Sequence, residues 1–296
     1  MKAGPHAKRK MWLGRGTTCG FTLMEALIAM AVATLLIAAT LHLYFHYRMA
    51  YLSQEQLNEM HHNARTASEL IAFDMRMAGY GVPTPYSDLP RWVNWVPNMT
   101  DIVVATPSSS AAGGQRLSIA GVFDPPVTEL SAGVGRGSTV LPVPGKALVN
   151  FNLTDRKMIL VGGLETARIV SFGSDRLNIS AHPTLPGKGL RNRYPAGTPI
   201  EVVSVVHYEV EPSPEGYPHR PYLMRYTSAT PPSLAASLAV VGIEHLQASP
   251  TSDGAWEVEV RGRAPTPSLR YRHPEFEDAY RRYQLVTALT PRNRRP

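Results

Sequence analysis

Hydrophobic positions follow two different rhythms along the 296 residues. From Ala26 to Tyr47 the chain reads ALIAMAVATLLIAATLHLYFHY, 22 residues without Asp, Glu, Lys or Arg. At about 1.5 Å of rise per residue a helix of that length covers about 33 Å, enough to cross one hydrocarbon core. Past Arg48 the polar residues enter. Leu57, Met60, Ala64, Ala67, Ile71 and Met75 recur every three or four positions among Gln54, Glu55, Glu59, Arg65, Glu69 and Asp74. That spacing predicts an amphipathic helix with its apolar face on a globular body and these polar residues among the apolar ones. Neither Gly nor Pro occurs between Phe21 and Ala78. One helix of about 87 Å is therefore expected, ended by Gly79, Gly81, Pro83 and Pro85.

Beyond Tyr80 the period becomes strand-like. Runs rich in Val, Ile, Leu and Tyr at 101–106, 116–123, 157–161, 165–172, 176–180, 200–210, 221–226, 255–261 and 282–289 predict strands. Turn signals separate them, among them Gly113-Gly114, Gly173-Ser174-Asp175 and Asp253-Gly254. The expected fold class is α+β, a long N-terminal helix with a membrane-spanning first half, packed on a β-rich head. The head, 80–296, is large enough for an inserted β subdomain at 131–196.

Composition changes this picture in two places. With one cysteine, neither an intramolecular disulfide nor a Cys-based zinc site can form, so the fold rests on packing. Lys2, Lys8, Arg9, Lys10 and Arg15 stand in the first twenty residues without an acid, and the rest carries 25 Lys and Arg against 23 acids. The basic pI of 9.6 is mostly a property of the N-terminus. Cations just before an apolar segment point to membrane topology more than to nucleic acid: N-terminus in the cytoplasm, everything after Arg48 across the membrane. The apolar stretch is too long for an ordinary cleaved signal, whereas an uncleaved signal anchor fits the topology. Glu25 fits less well. Carrying a carboxylate to mid-bilayer costs about 2.5 to 3.5 kcal/mol, so it needs a partner or an interfacial position.

Gly20-Phe21-Thr22-Leu23-Met24-Glu25, opening an apolar helix, resembles the type IV prepilin signature. The resemblance implies that a prepilin peptidase removes a leader, 1–20, between Gly20 and Phe21 and methylates the new N-terminus at Phe21. It implies that 21–47 is kept as the transmembrane and assembly half of the helix, followed by an amphipathic half, 48–79. Glu25 would meet the Phe21 amine of a neighbouring subunit. Phe73-Asp74-Met75-Arg76-Met77-Ala78-Gly79-Tyr80, with its D-x-R-x-A-G-Y pattern, and the closing segment from Tyr283 to Asn293 resemble PilW-type minor pilins. The likeness covers the first 80 residues well and the rest in outline.

A minor pilin implies a role in pilus assembly initiation or the tip complex. Its partners would be the prepilin peptidase, other major and minor pilins, the inner membrane and a tip adhesin. Its head would be periplasmic before assembly and extracellular in the pilus afterwards. A J-type pseudopilin of type II secretion shares leader and architecture, and a membrane-anchored binding or adhesin module shares the topology. A lipoprotein anchor at Cys19 lacks the preceding leucine and small residues, the sequence being Gly16-Thr17-Thr18-Cys19. Many pilins close a disulfide near the C-terminus; this chain departs from that pattern, and its C-terminal region must be held by strand pairing.

Catalytic motifs are not evident. Gly187-Lys188-Gly189 and Gly133-Val134-Gly135-Arg136-Gly137 lack the flanking residues of a phosphate loop and read as turns. His61 and His62 point about 100° apart on a helix, and His42 and His46 lie in the apolar stretch without an acid, so no metal is expected. No local motif positions a nucleophile with a base, and neither enzyme activity nor a cofactor is expected. From Arg261 onward nine Arg face Glu275, Glu277 and Asp278, with Tyr271, Tyr280 and Tyr283 interleaved. This reads as a solvated edge and tail, and nucleic acid is not an expected partner. Trp92 and Trp95 are expected to cover the core near the helix end.

Overall fold

The longest element is a 55-residue helix, α1 (Leu23–Met77), interrupted nowhere because nothing in it breaks a helix. The computed structural model describes residues 22–92, 99–108, 110, 114–151, 157–183, 185, 187–212, 220–227, 238–268 and 271–293. The expected leader, 1–20, with Phe21, Trp95, Gly113, Arg294 and Arg295 lie outside them. The chain divides into two units, Met1–Ser53 and Gln54–Pro296.

In the first unit, helical residues 23–52 are exposed, Leu23 at 80% and Leu35 at 71%. Among the described residues this is the one helix long and apolar enough to cross a membrane. Its hydroxyls bond the helix itself. Thr34 Oγ1 donates to the Ala31 carbonyl at 2.8 Å and Thr40 Oγ1 to that of Leu36 at 2.6 Å. Such internal satisfaction is what a hydrocarbon environment demands of polar groups.

In the second unit Met60, Ala64, Ala67, Ile71 and Met75 are buried, as their spacing predicts. Asp74, one of the polar residues among them, is fully buried too. After the helix come, among the described residues, α2 (Leu89–Trp92) and thirteen strands: β1 (Val103–Pro107), β2 (Gln115–Gly121), β3 (Thr128–Glu129), β4 (Val140–Pro142), β5 (Met158–Val161), β6 (Glu165–Phe172), β7 (Arg176–Ser180), β8 (Pro199–Glu211), β9 (Tyr222–Tyr226), β10 (Leu238–Val241), β11 (Ile243–Pro250), β12 (Trp256–Arg263) and β13 (Arg282–Leu289). All nine expected strands are present; β3, β4, β10 and β11 were not among them.

The strands form two antiparallel sheets. The spine of the larger is β8. Its first residues pair with β3 and β5, and its later ones with β2 and β9. From there β1, β10 and the run β6, β7, β4 extend the sheet. One core gathers the buried face of α1 with Val203, Val205, Val206 and Tyr208 of β8 and Leu246, Val258 and Val260 of the smaller sheet. A second core, from Leu130 to Val202, gathers Leu141, Ile159, Ile169, Leu177, Ile179 and Ile200. Two strands serve both cores. Ile200 and Val202 of β8 lie in the second and Val203, Val205 and Val206 in the first. Along β5 Met158 and Leu160 join the first and Ile159 and Val161 the second, by alternation.

The small sheet is β11-β12-β13. β13 is held through eight residues of pairing with β12, Arg282↔Arg263 to Leu289↔Trp256, as a chain end without a disulfide requires. Helix and strands approach closely where small residues allow it. Gly262 lies where a Cβ would come within 3.2 Å of the Met60 carbonyl oxygen, and Ser68 Oγ is 2.9 Å from Thr287 Oγ1.

Candidate functional site

The helix start is built by two residues, Thr22 and Glu25. Thr22 is the last non-helical one, and its N–H and Oγ1 donate to Glu25 Oε2 at 3.1 and 3.0 Å. The Glu25 N–H donates back to Thr22 Oγ1 at 3.3 Å. This is a reciprocal capping box, T-x-x-E, and it satisfies backbone donors that the first turn of any helix leaves open. The sequence contained the signal and the expectation passed over it: Glu25 has an intrachain role besides any role between subunits. The carboxylate is exposed. Below it Ala29 and Ala33 continue the same face, flanked by Ile28, Val32 and Leu36. Gly20 and Phe21, the expected cleavage and methylation positions, lie outside the described residues.

At the other end of α1 the two segments that carry the minor-pilin resemblance meet. Gly79 has φ +82°, and a Cβ there would stand 2.8 Å from the Asn293 carbonyl oxygen. Asn293 Nδ2 lies 3.5 Å from the Arg76 carbonyl, and Tyr86 donates its hydroxyl to the Asn293 carbonyl at 3.3 Å. Gly79 N–H donates to the Ala120 carbonyl at 2.9 Å, so the chain leaves the helix directly onto β2. An open cleft of about 670 Å³ beside this junction is lined by Tyr80, Asp88, Trp92, Glu165, Arg191 and Arg292 among others. Trp92 is buried in the core, as expected.

Asp74, inside the D-x-R-x-A-G-Y segment, is the anchor of that end. Arg225 of β9 donates to it through Nε at 2.8 Å and Nη2 at 3.2 Å, and the Tyr208 hydroxyl of β8 at 2.5 Å. Tyr208 is held far above the ordinary phenol range by burial and by the Asp74 charge, so it stays a donor.

A second buried carboxylate, Glu209, takes Arg116 Nε and Nη2 at 2.9 and 2.7 Å, the Tyr226 hydroxyl at 3.0 Å and the Ser108 hydroxyl. Burial alone would raise its pKa; the bonds from Ser108 and Arg116 more than offset that and hold it low. His207 beside it is pushed down to about 4 by burial and by Arg116. Ser118 Oγ lies 2.8 Å from His207 Nδ1, the spacing of a nucleophile and its base. Both lie in mid-strand, 5% and 6% exposed, where a substrate carbonyl has no approach. The arrangement is a packing device. None of Asp74, Glu209, His207 or Arg225 was singled out as a site from sequence, because each finds its partner on another strand or across the fold.

The arginine-rich C-terminal part is less solvated than expected. Arg282, with a side chain 7% exposed, bonds Glu244 Oε1 at 2.5 Å and Asp278 at 2.7 and 2.6 Å, and covers the Phe276 ring at 4.0 Å. Asp278 is held below the usual carboxylate range chiefly by the Arg282 hydrogen bonds. Arg263 lies over Tyr280 at 4.6 Å. These cations are used internally because β12 and β13 bring them against acids and rings. His61 stacks on Tyr283 at 4.1 Å, which gives it a structural place. Among the described residues no group of three or more His, Cys, Asp or Glu side chains is placed to hold a metal ion.

No protein-family model matches the chain. Neither curated proteins nor solved structures provide a match.

Proposed function

We propose that the chain is a minor pilin of a type IV pilus, cut between Gly20 and Phe21, anchored by the apolar half of α1, and used in assembly initiation or at the tip. The observation that carries the reading is the conjunction at one helix. G-F-T-L-M-E opens it, the exposed and mostly apolar residues 26–52 follow, and the same helix then buries one face of its other half in a β-rich head. A J-type pseudopilin would share these features; the A-G-Y helix end and the large head favour the pilus.

The capping box favours a second reading. A membrane-anchored binding module had no use for Glu25 as an unpaired acid, and Thr22 now supplies one. The two readings part at the N-terminus. Mass spectrometry of protein from membranes or sheared filaments is expected to find a mature chain beginning with N-methylated Phe21 and lacking Cys19. An intact Met1, or a terminus beyond Ala33, would leave the anchored module as the better account.

A further inference from the structure

The glycine-bearing segments that fail as phosphate loops are brought together in the head. Val134 and Tyr194 exchange backbone bonds of 2.8 and 3.0 Å, Gly137 N–H donates to the Leu190 carbonyl at 2.7 Å, and Leu190 N–H to that of Ser138 at 2.9 Å. Residues 134–138 and 190–194 thus form a two-stranded ribbon. Gly189 has no room for a side chain, since its Cβ would fall 1.9 Å from the Gly137 carbonyl oxygen.

The ribbon and its approach display Arg136, Lys188, Arg191 and Arg193, all exposed. Among the described residues none of the four forms an ion pair. Elsewhere in the head Arg116, Arg220, Arg225, Arg261, Arg263 and Arg282 all do. The adjacent acid, Glu165, is spent on backbone: it accepts from Arg191 N–H at 2.7 and 2.9 Å and from Asn192 N–H at 3.3 Å. Residues 131–196 hold nine Lys and Arg against three acids, net +6 in a chain that is +2 beyond residue 20. The rest of that chain is therefore −4. Two leucines border the ribbon, Leu164 at 77% exposure next to Glu165 and Leu185 at 51%, in the loop whose Ala181 N–H donates to the Lys188 carbonyl. Tyr194, the aromatic side chain within the ribbon, is buried.

We propose that this ribbon, with Leu164 and Leu185, is a docking surface for the anionic face of a lipid bilayer. The four cations meet phosphodiester headgroups and the two leucines enter the interface. Nucleic acid offers the same phosphodiester chemistry. Exposed leucines beside a ribbon whose own ring, Tyr194, is buried and cannot stack on bases favour the bilayer. The proposal does not depend on the pilus reading.

The test uses the full chain held by its apolar helix in phosphatidylcholine nanodiscs, floated with added vesicles. Each cation contributes about fivefold, so vesicles containing phosphatidylglycerol are expected to capture it at least about 100-fold better than phosphatidylcholine vesicles. The triple variant Arg136→Gln, Arg191→Gln, Arg193→Gln should lose about 100-fold, and the pair Lys146→Gln, Arg176→Gln less than about tenfold. Leu164→Ser with Leu185→Ser should lose about tenfold on vesicles and nothing on a 20-base-pair DNA duplex. Capture that ignores phosphatidylglycerol, survives the triple variant, or is indifferent to the leucines overturns the proposal. So does tighter binding to the duplex than to the vesicles, which assigns the surface to nucleic acid. Urea midpoints confirm that each variant is folded. If the triple variant is not, the leucine pair and the lipid comparison decide.

Discussion

Glu25 stands in the first turn of α1 and Asp74 in the last, one carboxylate at each end of the same helix. Glu25 is exposed, and its bonds come from Thr22, three residues away. Asp74 is fully buried, and its bonds come from Tyr208 and Arg225, 134 and 151 residues away. The first carboxylate closes a helix end and remains available to something outside the chain. The second has no freedom left; its charge is bound to the assembly of the head. An acid at a helix terminus can thus be an interface or a rivet, and burial with distant partners distinguishes them.

The sharpest way to break that comparison is to remove the rivet. Asp74→Ala leaves the Arg225 guanidinium and the Tyr208 hydroxyl without their acceptor, and the head is expected to lose about 3 to 5 kcal/mol in urea denaturation. Replacing Asp74 and Arg225 together by leucine should recover part of this, since no lone charge remains. A loss below about 1 kcal/mol for Asp74→Ala would mean that packing alone holds the helix end.

Acid should weaken the same head. His207 has a folded pKa of about 4 against 6.5 when free, so below about pH 6.5 the unfolded chain takes up a proton that the native one refuses. Stability present in full above pH 6.5 is lost as pH falls towards 4, by about 3 kcal/mol. Glu209, whose folded pKa is lowered from 4.5, adds a further loss as pH falls below that value. Urea midpoints from pH 8 to pH 4 measure the slope. His207→Gln should flatten it between 6.5 and 4, and an unchanged slope would assign the acid sensitivity elsewhere.

A smaller effect is expected at Gly79, where α1 ends against Asn293. Alanine there must adopt φ near +82° and meet a carbonyl oxygen at 2.8 Å, for about 1 to 3 kcal/mol. Thermal melting measures it; truncation before Asn293 in the Gly79→Ala background should recover the steric part.

The smallest effect on the head belongs to the other carboxylate. Glu25→Ala and Thr22→Ala each remove one member of the capping box, and neither should move the urea midpoint of the head. Their comparison separates two roles for Glu25. If it serves only its own helix, the variants behave alike. If it also pairs with the Phe21 amine of a neighbour, Glu25→Ala should be depleted from sheared filaments while Thr22→Ala is incorporated normally, as read by immunoblotting.

The amino-acid order by itself determined what depends on near neighbours. The unbroken helix, its change from an all-apolar to an amphipathic stretch near residue 48, nine of the thirteen strands and the T-x-x-E cap all follow from periodicity and spacings of a few residues. Two missed strands, Thr128–Glu129 and Val140–Pro142, are too short to show a period. In Ile243–Pro250 a register shift between Ile243 and His245 breaks the alternation, so its inward residues are Ile243, Leu246 and Ala248. The cation excess at 131–196, nine Lys and Arg against three acids, is likewise a property of the amino-acid order.

Only the tertiary structure decided which polar groups lie together. Asp74 stands three residues after Ile71 and seven after Ala67, in phase with the buried stripe, but its charge reads as that of a surface acid until Tyr208 of β8 and Arg225 of β9 meet it. Arg282 reads as part of a solvated arginine tail until Glu244 and Asp278 reach it, whereas the side chains of Arg191 and Arg193 form no ion pair among the described residues. The reason is physical: helix and strand geometry turn every third or fourth, or every second, residue to the buried face, and capping acts within one turn, so both leave a trace over a few residues. The pairing of a buried charge depends on which strand passes within about 3 Å, and that is set by packing among elements far apart in sequence.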